Sequence, residues 1–109
     1  MIQVTRLFDL LPHIRDSYQK KEDLIAGKEN GSWIKYSIDD YIRMSANVSY
    51  GLMALGVGKG DKVATISGSR PEWNFVDMGI LQAGAIHVPV YPTISESDYR
   101  YILAHAEVK

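Results

Sequence analysis

The chain has 109 residues, 46% hydrophobic and 23% charged, with no cysteine and a formal net charge of −1. This length fits one small domain that buries roughly two-thirds of its unfolded surface, and the composition is that of a globular rather than a disordered chain. The charge balance excludes the clustered basic surface that nucleic acid or an anionic membrane requires; the absence of cysteine excludes disulfides, a thiolate nucleophile and thiolate metal ligands. No stretch approaches the ~20 apolar residues of a membrane span. The opening MIQVTRLFDLLPHIRD places acids and a proline where a signal peptide needs an uninterrupted apolar core, so a cytoplasmic protein is expected. Lys20-Lys21 and Lys59 to Lys62 are interrupted by Glu22 and Asp61 and read as solvated surface.

Residues 1–22 form an N-terminal helical region, in which Asp9 is the expected cap and Pro12 is tolerated in the first turn; Leu10, Leu11, Ile14 and Tyr18 supply its apolar side. Residues 23–36 read as a hairpin, because Asn30-Gly31 accepts positive φ at both positions of a two-residue turn. Residues 37–56 predict a long amphipathic helix. Ser37 and Asp40 make a capping box, Ile38, Tyr41, Ile42, Val48, Leu52 and Leu55 recur at steps of three and four, and Gly56 ends it.

Residues 62–109 predict a βαβα unit. Val63 to Ser67 is a short apolar strand expected to be covered on both faces. A helix follows with Pro71 at its first position and Arg70 as cap, a choice preferred over a Ser69–Glu72 capping box because a residue before proline avoids helical φ/ψ. Trp73, Val76, Ile80 and Leu81 form its expected buried stripe, with Gly79 admitting close packing. Ala85 to Val90 is the second strand, with Pro89 near its end. Ser95 and Asp98 start the last helix, whose inward residues are Tyr99, Ile102, Leu103 and Ala106. The fold class is therefore α/β: a partial doubly wound parallel sheet preceded by a helix, a hairpin and a long helix. A right-handed crossover joins the two strands, and the last helix should lead to a third parallel strand. Two parallel strands leave open edges, which call for neighbouring chain, another molecule or the hairpin as cover.

Few residues offer chemistry. Gly56, Gly58 and Gly60 follow a helix and precede a strand, the reverse of a phosphate-cradling loop, and no GxxxxGK[ST] string occurs. His13, His87 and His105 lack the partners at helical spacing that metal sites use. The carboxylates Asp39-Asp40 and Glu96 to Asp98 sit in first turns of helices, where capping accounts for them. Arg70, Trp73, His87 and Tyr91 remain as pocket-edge candidates, since the loops after both strands lie on the ligand-bearing edge of an open α/β sheet. Each also has a structural reading: Trp73 as core anchor, Arg70 as helix-start polar group, His87 as hydrogen-bonded core histidine and Tyr91 as a packing contact. No catalytic, cofactor-binding or metal residue is assigned.

The stretch from Gly31 to Thr93, with GDKVA, SRPEW and LQAGAIHVPVYPT in order and YIL downstream, resembles the N-terminal part of the AMP-forming acyl-CoA synthetases, and RPEW with YPT is most similar to long-chain fatty acid–CoA ligases. The resemblance runs from about Ala26 to Lys109. It implies an acetyl-CoA-synthetase-like N-terminal subdomain of a larger AMP-binding domain. It further implies a reaction in which a fatty carboxylate attacks the α-phosphorus of Mg-ATP and CoA thiolate then displaces AMP. ATP, Mg2+ and CoA are thus implied for a longer parent, and none for this chain alone. The family's TSGTTGxPKG-type loop, its adenine-contacting segment and its mobile-domain lysine have no counterpart between Met1 and Lys109, so the isolated chain is expected to be inert and its main partner to be the rest of its own polypeptide. A different adenylating ligase acting on another carboxylate is a second possibility. The competing class is a non-catalytic interaction module, a truncated paralogue whose exposed sheet edge recruits a partner or a second copy. A free-standing flavodoxin-like nucleotide binder fits less well, with too few strands and no suitable glycine loop.

Overall fold

The structure, a computed structural model, describes residues 5–18 and 23–109; Lys20, Lys21 and Glu22 lie outside the described residues. A 3-10 turn (Leu7–Asp9) leads into α1 (Leu10–Ser17), followed by β1 (Ile25–Glu29), β2 (Ser32–Tyr36), α2 (Ile38–Ala54), β3 (Lys62–Ile66), α3 (Pro71–Gln82), β4 (Ile86–Val90) and α4 (Glu96–His105). The order expected from the pattern is the order found.

Capping chemistry sets most boundaries. Ser37 Oγ accepts from the Asp40 N–H and the Asp40 carboxylate accepts from the Ser37 N–H, which closes the expected box at α2. Arg70 is extended (φ −159°, ψ 157°) with Pro71 first in α3, as the restriction before proline requires. The N-terminus departs from expectation. Asp9 does not cap α1; its carboxylate reaches backwards to the Thr5 and Arg6 N–H groups and to the Arg6 guanidinium at 2.9 Å. Those bonds make Asp9 the end of the preceding 3-10 turn, and they hold its carboxyl well below the usual range, the Arg6 side chain being the main cause.

The three long helices end alike. At α2, Val57 N–H bonds the Leu52 carbonyl and Gly56 N–H the Met53 carbonyl; at α3, Ala85 bonds Ile80 and Gly84 bonds Leu81; at α4, Val108 bonds Leu103 and Glu107 bonds Ala104. This is the Schellman pattern, which needs a left-handed residue after the cap. Gly56 and Gly84 supply it at φ 91° and 79°, but α4 uses Glu107 at φ 56°.

The hairpin pairs Ile25↔Tyr36 through Glu29↔Ser32 around Asn30 and Gly31, both at positive φ, as expected for that dipeptide. It forms its own two-stranded sheet and leaves the edges of the parallel pair uncovered. β3 and β4 pair in parallel from Lys62↔Ile86 to Ile66↔Val90, with α3 as the crossover. Contrary to the expectation of cover on both faces, β3 is only half-buried and Ile66 is 50% exposed.

The core lies between the helices and the hairpin. Leu11, Ile38, Tyr41 and Phe75 form a buried cluster, onto which Ile14, Ile25, Tyr36 and Met78 pack. Tyr36 and Tyr41 both meet the Phe75 ring edge-on at 5.0 and 5.5 Å. Burying Phe75 removes enough apolar surface to contribute about 2–3 kcal/mol. The predicted stripes rotate slightly. On α2 the buried set is Ile38, Tyr41, Ser45 and Ser49, while Leu55 is 81% exposed. On α3 it is Pro71, Phe75, Gly79 and Ile80, with Trp73, Val76 and Leu81 half-buried. Close approach explains both shifts: a Cβ on Gly79 would sit 2.8 Å from the Ser45 carbonyl oxygen, so only small residues fit at this crossing.

Candidate functional site

A cleft of about 680 Å3 lies between the hairpin and the loop from Ser67 to Arg70 that starts α3. Its two walls touch at the base. A Cβ on Gly27 of β1 would lie 2.7 Å from the Pro71 ring, so the strand rests directly on the first turn of α3. Trp33, 65% exposed, and Ile34 line the hairpin wall, while Lys28, Glu29, Arg70 and Glu72 supply its charges. A smaller hollow of about 350 Å3 continues from the same loop past Trp73 and Asn74.

The four sequence candidates fall in three places. Arg70 lines both hollows, and its Nε donates to the Glu72 carboxylate at 2.9 Å. The Glu72 carboxyl is lowered, mainly by its own backbone N–H and further by Arg70. Tyr91 is 79% exposed at the end of β4, away from the residues that line the hollows; its carbonyl accepts from the Tyr99 hydroxyl at 3.1 Å and so ties that loop to α4.

Trp73 and His87 are brought together, with ring centroids 5.2 Å apart. The His87 side chain is 5% exposed and both ring nitrogens are engaged. Nδ1 lies 2.7 Å from Asp77 Oδ1, and Nε2 lies 2.7 Å from Thr65 Oγ1. Hydroxyl, imidazole and carboxylate thus link β3, β4 and α3. The arrangement satisfies every polar atom of a buried imidazole, which is the core-histidine reading weighed above. Sequence reasoning missed Asp77 and Thr65. The signal was present: Asp77 stands one helical turn after Trp73, on the same face of α3. The charge of Asp77 also adds to burial, the larger cause, in pushing the Tyr41 hydroxyl up.

His13 Nδ1 lies 3.4 Å from the Ser17 hydroxyl and its ring meets Tyr18 edge-on at 6.1 Å, while His105 stacks on Tyr101 at 5.4 Å in the last turn of α4. Among the described residues no group of three His, Asp or Glu could hold a metal ion, and no helix is long and apolar enough to cross a membrane.

The fold and these sequence landmarks match known proteins. The AMP-binding enzyme family matches residues 14–109. The chain belongs to that family. It is 35% identical over 78 residues to the long-chain-fatty-acid–CoA ligase FadD15 of Mycobacterium bovis, covering 72% of this chain and 13% of that protein. It is 32% identical over 88 residues to fatty acyl-CoA synthetase A of Dictyostelium discoideum, covering 79% of this chain and 13% of the relative. The fatty acid AMP ligase from Legionella pneumophila superposes with a TM-score of 0.81 at 21% identity, over 97% of this chain and 19% of that one. The chain therefore spans about an eighth of the length of the curated relatives it matches.

Proposed function

We propose that the chain is the N-terminal subdomain of an AMP-forming fatty acid–CoA ligase, and that by itself it is catalytically inert. The observation that supports this reading most is the 35% identity to a long-chain-fatty-acid–CoA ligase across 72% of the chain. Such a parent would use ATP with Mg2+ to activate the carboxylate and CoA to receive the acyl group.

The described residues do not fit a nucleoside triphosphate. The cleft carries Glu29 and Glu72 beside Lys28 and Arg70, which leaves no net positive charge to receive polyphosphate, and Arg70 is already committed to Glu72. Pro71 removes one N–H from the first turn of α3, which further weakens that helix start as an anion cradle. No step of the reaction is assigned to this chain. Its residues instead hold a scaffold: the Gly27–Pro71 contact and the Thr65–His87–Asp77 chain position the loop from Ser67 to Arg70 at the edge of the sheet.

ATP–pyrophosphate exchange with palmitate tests both parts. The isolated chain should give no exchange above a protein-free control, whereas the same chain continued into the remainder of a ligase should restore it. Exchange by the isolated chain would overturn the inert reading. Absence of exchange with every carboxylate offered to the complete protein would overturn the ligase reading.

A further inference from the structure

The tip of the hairpin stands apart from the rest of the molecule. Its base is fixed, because Ile25 and Tyr36 pack on the core and Gly27 rests on Pro71. Every residue from Lys28 to Lys35 is exposed, and β1 and β2 form a sheet of their own with no third strand. Two strands without a third are only marginally stable in water, so this end opens more readily than the helices that build the core.

Asn30 and Gly31 bring an electrophile and a nucleophile together at that tip. The side-chain amide carbon of Asn30 is followed by a backbone nitrogen whose own residue has no Cβ to hinder approach. Among the described residues no hydrogen bond engages the Gly31 N–H or the Asn30 side-chain amide, because the turn closes through the Glu29↔Ser32 pair. At φ 51° Asn30 sits in the left-handed well, where that nitrogen faces away from Cγ, so reaction between the two requires the turn to open. The other two asparagines lack these conditions. Asn47 precedes Val48 inside α2 and Asn74 precedes Phe75 inside α3; there the following N–H groups belong to helical ladders and a branched or aromatic side chain crowds the approach.

We propose that Asn30-Gly31 is a site of spontaneous covalent modification, at which asparagine ages to isoaspartate and loosens the hairpin wall of the cleft. The Gly31 nitrogen gives up its proton to water and attacks Asn30 Cγ. An N–Cγ bond forms, the Cγ–Nδ2 bond breaks, and Nδ2 takes a proton from water and leaves as ammonia. Water then opens the resulting five-membered imide at either carbonyl. Opening at the side-chain carbonyl gives aspartate; opening at the backbone carbonyl leaves the chain running through Cβ and Cγ as isoaspartate. The sum is one water consumed and one ammonia released, with no oxidant or reductant. Both products place a new carboxylate beside Glu29. Aspartate-glycine keeps the same turn, whereas isoaspartate adds a methylene to a two-residue loop whose length sets the strand register. The Lys28↔Trp33 pairing next to the turn is lost with it, and Trp33 and Ile34 no longer form a fixed wall. The inference rests on the hairpin alone and is independent of the reaction proposed for a parent.

Incubation of the 109-residue chain at mildly alkaline pH, followed by tryptic digestion and mass spectrometry, tests this without any activity. Asn30, on the tryptic peptide 29–35, should convert at least about tenfold faster than Asn47 or Asn74, since the tip opens locally while α2 and α3 open with the core. Methyl transfer from labelled S-adenosylmethionine by a protein isoaspartate methyltransferase should rise in step. It should be absent from Asn30→Gly, whose Gly-Gly pair suits the turn but carries no amide. In the methyl-accepting fraction, NMR should show the cross-strand contact between Lys28 and Trp33 lost and the contacts of Phe75 retained. Conversion of Asn30 no faster than that of Asn47, or equal methyl acceptance by Asn30→Gly, would overturn the modification site. Isoaspartate at residue 30 with the Lys28–Trp33 contact intact would overturn its effect on the cleft.

Discussion

Gly79→Ala is the sharpest test of how α2 and α3 meet. On helix propensity alone the substitution should stabilise by about 1 kcal/mol, because glycine is the poorest ordinary helix former. Tertiary contact reverses the sign. The added Cβ would lie 2.6 Å from both Cβ and Cγ1 of Val48 and 2.8 Å from the Ser45 carbonyl oxygen. A terminal methyl can rotate, but Cβ and a helical carbonyl cannot, so the two helices must separate along their whole contact. Overpacking of this kind costs about 1–3 kcal/mol, which cancels or outweighs the propensity gain and leaves a net loss of up to about 2 kcal/mol. With a urea slope of about 1 kcal/mol per molar for a chain this small, the unfolding midpoint by circular dichroism should fall by up to about 2 M. Gly51→Ala is the matched control, in α2 with no atom within 4 Å of the new Cβ. It should stabilise by about 0.5–1 kcal/mol. If Gly79→Ala raised the midpoint as Gly51→Ala does, the close crossing of α2 and α3 would be refuted.

Four further outcomes follow from single side chains. Glu107→Gly should stabilise by up to about 1 kcal/mol and so raise the urea midpoint, since Glu107 occupies the left-handed position after α4 and its ion pair with Lys62 spans 3.9 Å at the surface; a lower midpoint would contradict this. Ser45→Ala should be neutral or stabilising by about 1 kcal/mol, because the buried Ser45 hydroxyl has no hydrogen-bond partner among the described residues, and denaturant titration reads it directly. His87→Ala should cost about 2–4 kcal/mol by stranding Thr65 and Asp77 and opening a cavity; a loss no larger than that of Thr65→Val would show that the imidazole is not the link between β3 and α3. For Asp9 the folded carboxyl is lowered, so its stabilisation is present above the ordinary carboxylate range near pH 4 and is lost as pH falls through the folded value below it. Carbon-detected NMR should find Asp9 titrating below the ordinary carboxylate range near pH 4, and a midpoint within that range would contradict the Arg6–Asp9 pairing.

The order of elements, the capping box at Ser37, the Asn30-Gly31 turn and the start of α3 at Pro71 were legible in the sequence. Each depends on contacts within about four residues, where local backbone chemistry decides the outcome. The resemblance to the AMP-forming synthetases was legible for a similar reason: its landmarks are turn and strand residues in fixed order, a property of the linear text. What escaped was long-range. No local pattern marks Ser45 and Ser49 as buried while Leu55 is exposed, because that choice belongs to the crossing with Gly79 on α3. Asp9 turned from the helix after it to the arginine before it, a competition between two local partners that spacing alone does not rank.

For the candidate site the division is sharper. The sequence by itself determined that the loops after β3 and β4 share one edge of a parallel sheet, since a strand–helix–strand unit pairs its strands in parallel and so brings both C-terminal ends to the same side. Only the tertiary structure decided that Arg70 faces a cleft, that Tyr91 stands apart from it, and that His87 is locked between Thr65 and Asp77. It also decided that the Lys109 N–H meets the Lys62 carbonyl beside β3. The physical reason is the same in each case. Secondary structure answers to neighbours along the chain, whereas a side chain's partner is chosen by whatever distant element folding brings within hydrogen-bond reach.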